Sequence, residues 1–368
     1  GIISLNQDDS LECITACQVH QRFPFRAPTF YYADVCRETT AYMIITEQVP
    51  YGSRERDQAD FKPYEVLPGC GKCQDYLLPR VEEFYGCLFR ALGSLAAWDK
   101  MGRFDFLFGP PPQYNEEMYL GFNQRQPLAA NMREMTKEVV SKTADKTIDF
   151  LMNWCEKMMA PEVRTKEALE KVKGELIEMS PYFKDMSNYF QDSNSDWLAA
   201  GHANLQADNA WFWRDEYGEL DCGVLDWGGF ARSAFCVRFL GCLSGAQAED
   251  LLAHLEGIFQ SFLDEYERCG GPRLQLQDMV QRYHLAFVTS LFDQWSYVER
   301  HTLKETTQEE FLGFSGPRDP RFEERFYTRC GSMPTINAWT YYIKKGNLKS
   351  IFDSWVESGG KYFLQPYA

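Results

Sequence analysis

The stretch Gly201-His202-Ala203-Asn204-Leu205-Gln206-Ala207-Asp208-Asn209, followed by Cys222-Gly223-Val224-Leu225-Asp226-Trp227, constrains this chain more than any other. It reads as a polar loop followed by two short apolar runs, Ala210 to Trp213 and Leu220 to Leu225. The segment Arg214-Asp215-Glu216-Tyr217-Gly218-Glu219 between them is rich in turn formers, so the spacing predicts a β-hairpin. Polar residues precede the first strand and an acid ends the second. Such a hairpin lets Asn209 and Asp226 converge on one point. An amide oxygen and a carboxylate so placed suit Mg²⁺, which keeps several waters and takes few protein ligands.

This pattern resembles the aminoglycoside phosphotransferase and choline kinase-like family, which has the protein-kinase-like fold. That family carries a loop of the form H-G-D-x-x-x-x-N, then a hairpin ending in I-D-W or I-D-F. His202 matches the loop histidine, Asn209 the metal-binding asparagine and Asp226 the metal-binding aspartate. The chain departs from the family at Asn204, where the catalytic aspartate stands. The resemblance implies an α+β, protein-kinase-like fold with a truncated small lobe and a large helical C-lobe. Residues 1–50 would be the remnant of the small lobe, and 51–368 the helical lobe, with the catalytic-loop hairpin at 200–230.

Composition narrows the function. A formal net charge of -15 argues against nucleic acid and anionic membrane surfaces as partners. No apolar run reaches the length of a membrane span. Residues Gly1 to Ser10 lack the basic start and apolar core of a signal peptide, although a trimmed start would look the same. Twelve cysteines scattered through helical-looking segments point to thiols in a reducing compartment: the cytoplasm, or an organelle stroma or matrix. Cys70-Gly71-Lys72-Cys73 is the one close pair. It could serve redox or zinc chemistry, but no second pair or nearby histidine completes a metal set, and a plain loop is the simpler reading.

Taken in order, the chain begins with a helix over Ser10 to Val19 that carries Glu12. Thr29 to Asp34 and Ala41 to Glu47 are rich in β-branched and aromatic residues and read as paired strands. In the resembled family such a pair ends in the hinge joining the lobes. Glu47, Gln48 and Val49 occupy that place, where backbone would meet an adenine edge. The family's small lobe also has a phosphate-gripping lysine paired with a helix glutamate, and Glu12 is the candidate for that glutamate. No lysine precedes Lys62, and no glycine lies between Gly1 and Gly52, so neither the lysine nor a glycine-rich phosphate loop is present. Either the chain is a piece of a longer protein, or this part of the nucleotide site has been shed. Helical periods follow over Leu78 to Met101, Leu128 to Met159 and Val163 to Tyr189. After the hairpin everything reads as helix: Ala231 to Leu243, Ala248 to Cys269, Leu276 to Arg300, Thr307 to Phe314, Ile336 to Tyr342 and Leu348 to Val356.

The chemistry turns on one substitution. Phosphoryl transfer needs groups positioned and charge neutralised. Asn209 and Asp226 would hold the metal, and His202 would brace the loop. Asn204 can orient a hydroxyl but takes no proton at neutral pH, and general-base catalysis is worth ~10²–10⁴-fold. Gly313-Phe314-Ser315-Gly316 is no nucleophile elbow, because its second glycine falls one place early. Two readings follow. In the favoured one, the chain is a catalytically impaired kinase-like protein serving as a binding or structural subunit, with a protein partner. In the alternative, it is an ATP- and Mg²⁺-dependent kinase acting on a hydroxyl of a small molecule such as an aminoglycoside or choline-like compound. The acidic charge would suit a cationic ligand.

Overall fold

The computed structural model describes residues 9–36, 41–108, 135–190 and 196–359. The turn expected near Arg37 to Thr39, and the first residues of the helix expected from Leu128, lie outside them.

Helix α1 (Asp9–Gln18) leads to strands β1 (Phe30–Val35) and β2 (Tyr42–Thr46), which pair antiparallel. This sheet is largely open to solvent, with Tyr31, Tyr32, Met43 and Ile45 exposed. Helix α2 (Val81–Lys100) is buried on nearly every side, from Phe84 and Tyr85 through Leu88, Leu92 and Leu95, as a helix at the centre of a lobe must be. Then come α3 (Lys137–Asn153), α4 (Lys166–Met179) and α5 (Phe183–Phe190). Ser180 and Pro181 separate the last two, so the single helix expected over Val163 to Tyr189 is divided. Proline supplies no N–H to continue the ladder.

The expected hairpin is present as β4 (Ala210–Arg214) and β5 (Leu220–Val224), with Trp211 opposite Gly223 and Trp213 opposite Asp221. Its turn closes on Asp215, whose Oδ1 accepts from Tyr217 N–H at 2.8 Å and Glu219 N–H at 2.9 Å. Both outer edges are covered. Leu67 N–H donates to the Phe212 carbonyl at 2.8 Å, and Val224 N–H to the Arg26 carbonyl at 2.9 Å.

One expectation is overturned. Ala231 to Ala234 is a strand, not the start of a helix. With β3 (Leu198–Gly201), this β6 forms a third antiparallel pair, and α6 (Phe235–Cys242) starts only afterwards. The cause is tertiary. Arg232 on β6 reaches Asp99 on α2 through Nε and Nη2 at 2.7–2.9 Å, and Asp99 Oδ2 also accepts from Ala200 N–H on β3 at 2.8 Å. A buried carboxylate so placed binds strand partners that a helix could not offer.

The remaining principal helices are α7 (Ala248–Arg268), α8 (Leu276–Leu291), α9 (Phe326–Lys345) and α10 (Leu348–Glu357). Helix α7 packs along α2, and Gly93 permits the approach: a Cβ there would lie 2.6 Å from the Phe262 carbonyl oxygen. Helix α9 begins ten residues earlier than expected and runs through Pro334. The fold class is α+β, with small strand pairs and a large helical lobe, as expected. Among the described residues, no helix is long and apolar enough to cross a membrane.

Candidate functional site

His202 follows directly on β3 and is buried. Its Nδ1 accepts from Asn204 N–H at 3.0 Å, so the proton sits on Nε2, which donates to the Leu225 carbonyl at 2.8 Å. Burial pushes its pKa down to about 4, which keeps the ring neutral. The imidazole thus braces the loop against the end of β5, one residue before Asp226. Edge contact with Trp227 (centroids 4.8 Å apart) completes its cage.

The Asn204 amide is bonded at both ends. With the amide oriented so that each end meets a complementary group, its nitrogen donates to the Gly241 carbonyl at 2.9 Å and its oxygen accepts from Lys72 Nζ at 3.2 Å. Gly241 is required for this approach, because a Cβ there would lie 2.7 Å from the Ala203 carbonyl oxygen. Lys72 also pairs with Asp208 Oδ2 at 3.2 Å, so Asp208 is engaged by a cation rather than directed at an acceptor hydroxyl. Lys72 belongs to the Cys70-to-Cys73 loop, and nothing local in the sequence announces its role at this site. The loop is fastened from α9, where Arg329 Nε donates to the Lys72 carbonyl at 2.8 Å. The Cys73 thiol meets Cys330 of α9 rather than Cys70. The two sulfurs interact, which raises the pKa of Cys73 and lowers that of Cys330.

Asn209 is also buried, and its Nδ2 donates to the Asn204 carbonyl at 2.7 Å. That commitment turns Oδ1 into the ligating end of the amide. Leu225 N–H donates to the Asn209 carbonyl at 2.8 Å, which ties the Asn209 and Asp226 positions together through backbone. Asp226 is exposed and left-handed, with φ 59°. Few side chains other than glycine, asparagine and aspartate adopt that conformation readily. Its neighbour Trp227 is pinned by Phe23 (centroids 4.0 Å, stacked) and Phe25 (5.7 Å).

Glu12 and Asp226 line one cavity of about 270 Å³, with His20, Tyr42, Ile44 and Thr46 from the small lobe. Among the described residues, no lysine or arginine lines it. Glu47 is held by Thr29: its Oε2 accepts from Thr29 Oγ1 at 2.7 Å and from Thr29 N–H at 3.2 Å, which lowers its carboxyl pKa. Glu47, Gln48 and Val49 do not line this cavity. A second, larger cavity of about 530 Å³ lies beside Asn204. Lys72, Gln206, His301, Cys330 and Asn337 line it, and none of these stood out in the sequence.

Among the described residues, the thiols, carboxylates and imidazoles close enough to share a metal are Cys87, Asp221 and Cys222. Glu12 and Asp226 belong to no such set.

No family model matches the chain, and no curated protein matches it. Solved structures do. A choline kinase from Cryptosporidium parvum Iowa II shares 12% identity over 95% of this chain and 81% of its own, with a TM-score of 0.41. A putative aminoglycoside phosphotransferase from Ralstonia eutropha JMP134 shares 13% over 92% and 83%, with a TM-score of 0.40. A macrolide 2'-phosphotransferase type I shares 14% over 84% and 78%, with a TM-score of 0.36.

Proposed function

We propose that this chain is a kinase-like binding protein that does not carry out phosphoryl transfer. The carrying observation is the Asn204 amide. It stands where a proton acceptor would be needed, it is neutral, and both of its ends are engaged, by Gly241 and Lys72. General-base catalysis, worth ~10²–10⁴-fold, has no group to supply it there.

Two oxygen donors fit a divalent cation: Asn209 Oδ1 and the Asp226 carboxylate. Such an ion would supply charge neutralisation. ATP fits less well. The cavity at Asp226, about 270 Å³, falls below the ~300–1,000 Å³ usual for small-molecule sites. Among the described residues, no lysine or arginine lines it to grip phosphate. The ligand of the binding protein is therefore sought elsewhere, at a small-molecule pocket or a protein surface. Buried thiols at Cys155, Cys236 and Cys242 suit a reducing compartment.

The second reading, a small-molecule kinase using ATP and Mg²⁺, draws on Asp226. A carboxylate held in a sparsely populated backbone conformation is a mark of function. Thermal unfolding with millimolar ATP and Mg²⁺ separates the two, since a ligand of the folded state raises the melting temperature by mass action. No shift is expected. A Mg²⁺-dependent shift that disappears in Asp226→Ala would keep the kinase reading alive, and phosphoryl transfer from ATP by the same protein would overturn the binding-protein reading.

A further inference from the structure

Two thiols meet at the cavity beside Asn204. Cys73 lies on the loop that carries Lys72, and Cys330 lies on α9. Both line the cavity, together with Lys72 and Asn204. Cys73 is buried and Cys330 half-buried, so Cys330 is the more open of the two.

Both sides of this contact are held in place. Arg54 Nε and Nη2 donate to the Gly69 carbonyl at 3.2 and 2.9 Å, and Gln74 N–H donates to the Gly71 carbonyl at 3.0 Å. Arg329, one residue before Cys330, donates from Nε to the carbonyl of Lys72, one residue before Cys73, at 2.8 Å. Cys73 is itself left-handed, with φ 54°. A residue with a Cβ adopts that conformation at a cost, and such residues collect at functional sites. In this pose its sulfur reaches Cys330. The Cys70 thiol is turned elsewhere and donates to the Gly71 carbonyl at 3.4 Å.

The two sulfurs differ in chemistry. Contact with Cys73, and then the Arg329 and Lys72 cations, lower the Cys330 pKa against burial and the Asp208 carboxylate, which raise it. The same contact and burial push Cys73 upward. Burial also raises Cys70, Cys155 and Cys236. The thiolate is the reactive form of cysteine, and a thiol sensitive to oxidation combines thiolate character and access with a second thiol in reach.

We propose that Cys330 is a site of oxidation by a hydroperoxide, and that Cys73 resolves the product as a reversible Cys73–Cys330 disulfide. The Cys330 thiolate attacks one peroxide oxygen of hydrogen peroxide. An S–O bond forms, the O–O bond breaks, and the departing hydroxide takes up a proton. The Cys73 sulfur then attacks the Cys330 sulfenic acid. The S–S bond forms, the S–O bond breaks, and hydroxide leaves with the Cys73 proton as water. Two thiols are oxidised and one peroxide is reduced to two waters. A dithiol restores both cysteines by exchange, as befits a transient disulfide in a reducing compartment. The bond ties α9 to the residue beside Lys72, so oxidation acts on the loop whose lysine engages Asn204 and Asp208. This inference goes beyond the binding-protein reading and does not rest on it.

The test treats the folded, fully reduced protein with near-stoichiometric hydrogen peroxide, blocks the remaining thiols in acid and maps tryptic peptides by mass spectrometry. Trypsin cuts after Lys72 and Arg329, which places Cys73 on peptide 73–80, Cys330 on 330–344 and Cys70 on a peptide ending at Lys72. A cross-link between 73–80 and 330–344, lost on adding dithiothreitol, is expected. Cys70→Ser should keep it. Cys73→Ser should lose it and let dimedone trap Cys330 as the sulfenic acid, and Cys330→Ser should lose both signals. Absence of the cross-link in the wild type, linkage of Cys73 to Cys70 instead, or a cross-link that forms only in urea would each overturn the proposal. The assay contains no nucleotide. Its failure therefore leaves the absence of phosphoryl transfer untouched, whereas phosphoryl transfer from ATP would sink that reading without bearing on this thiol pair.

Discussion

The Asn204 side chain donates to the Gly241 carbonyl oxygen at 2.9 Å, and this contact explains why an amide, not an acid, stands at position 204. A carboxylate in the same pose would set oxygen against oxygen. The helix bearing Gly241 would then have to move, or Lys72 would have to draw the acid away. The loop is thus fitted to asparagine from two directions.

Restoring an aspartate is therefore expected not to restore a catalyst. Asn204→Asp loses the bond to Gly241, and the closer pairing with Lys72 offsets only part of that loss. We expect a destabilisation of about 1 kcal/mol, seen in urea unfolding, and no phosphate release from ATP above background. A variant that is both more stable and active would show the loop to be a recent loss from a working site.

Asp226 gives a backbone prediction. At φ 59° its Cβ crowds the following carbonyl, a strain that glycine escapes. Asp226→Gly should be more stable than Asp226→Ala by about 1 kcal/mol, measured as paired unfolding midpoints. Equal midpoints would mean that the left-handed conformation costs nothing here.

The Asp99–Arg232 pair should matter far more than any surface ion pair. Arg232 is 5% exposed and Asp99 is 2% exposed. Asp99→Ala strips the principal partner from a buried guanidinium, although Asp105 remains 3.0 Å away. Removing one partner of a buried pair costs about 3–5 kcal/mol. Chemical denaturation should show that loss, and amide exchange should speed up at β3 and β6 first. A loss below about 1 kcal/mol would place the pair with ordinary surface bridges.

Stability should fall on acidification from pH 7 to pH 5. Burial pushes His20 and His202 down to about 4 and His284 to about 3, each from 6.5. In that window the unfolded chain takes up protons that the folded one refuses, so the stabilisation is complete above 6.5 and is lost as pH falls toward the folded values. Asp75 works in the opposite sense. Burial raises its carboxyl from 3.8 to about 6, so the folded state gains from protonation over that range. Three groups outweigh one, for a slope of about 2.5 kcal/mol per pH unit near pH 5. Urea unfolding at pH 7, 6 and 5 checks it, and His284→Phe should flatten the slope. Stability that holds level or rises toward pH 5 would contradict the assignment.

What could be read from the sequence was what short-range chemistry controls. The hairpin at 210–224 follows from two apolar runs around a turn that Asp215 can close. The spacing of His202, Asn204 and Asn209 set which groups share one loop, and the brace expected of His202 is made by both ring nitrogens. Strand β6 could not be read, because Ala231-Arg232-Ser233-Ala234 has no β-character of its own. It is extended because Leu198 to Gly201 pairs with it and Asp99 holds Arg232.

By itself, then, the sequence determined the local elements, the departure at Asn204 and the thiol-rich, acidic character of the chain. The tertiary structure decided which side chains meet across long separations. Lys72 reaches Asp208 over 136 residues, and Cys73 reaches Cys330 on a distant helix. It also decided the polarity of the cavity at Asn204, which no acid among the described residues lines. Periodicity and propensity act over a few residues of chain, whereas a cavity wall is assembled from segments far apart in sequence. Net charge, which sums over the whole surface, therefore says nothing of the field inside one pocket.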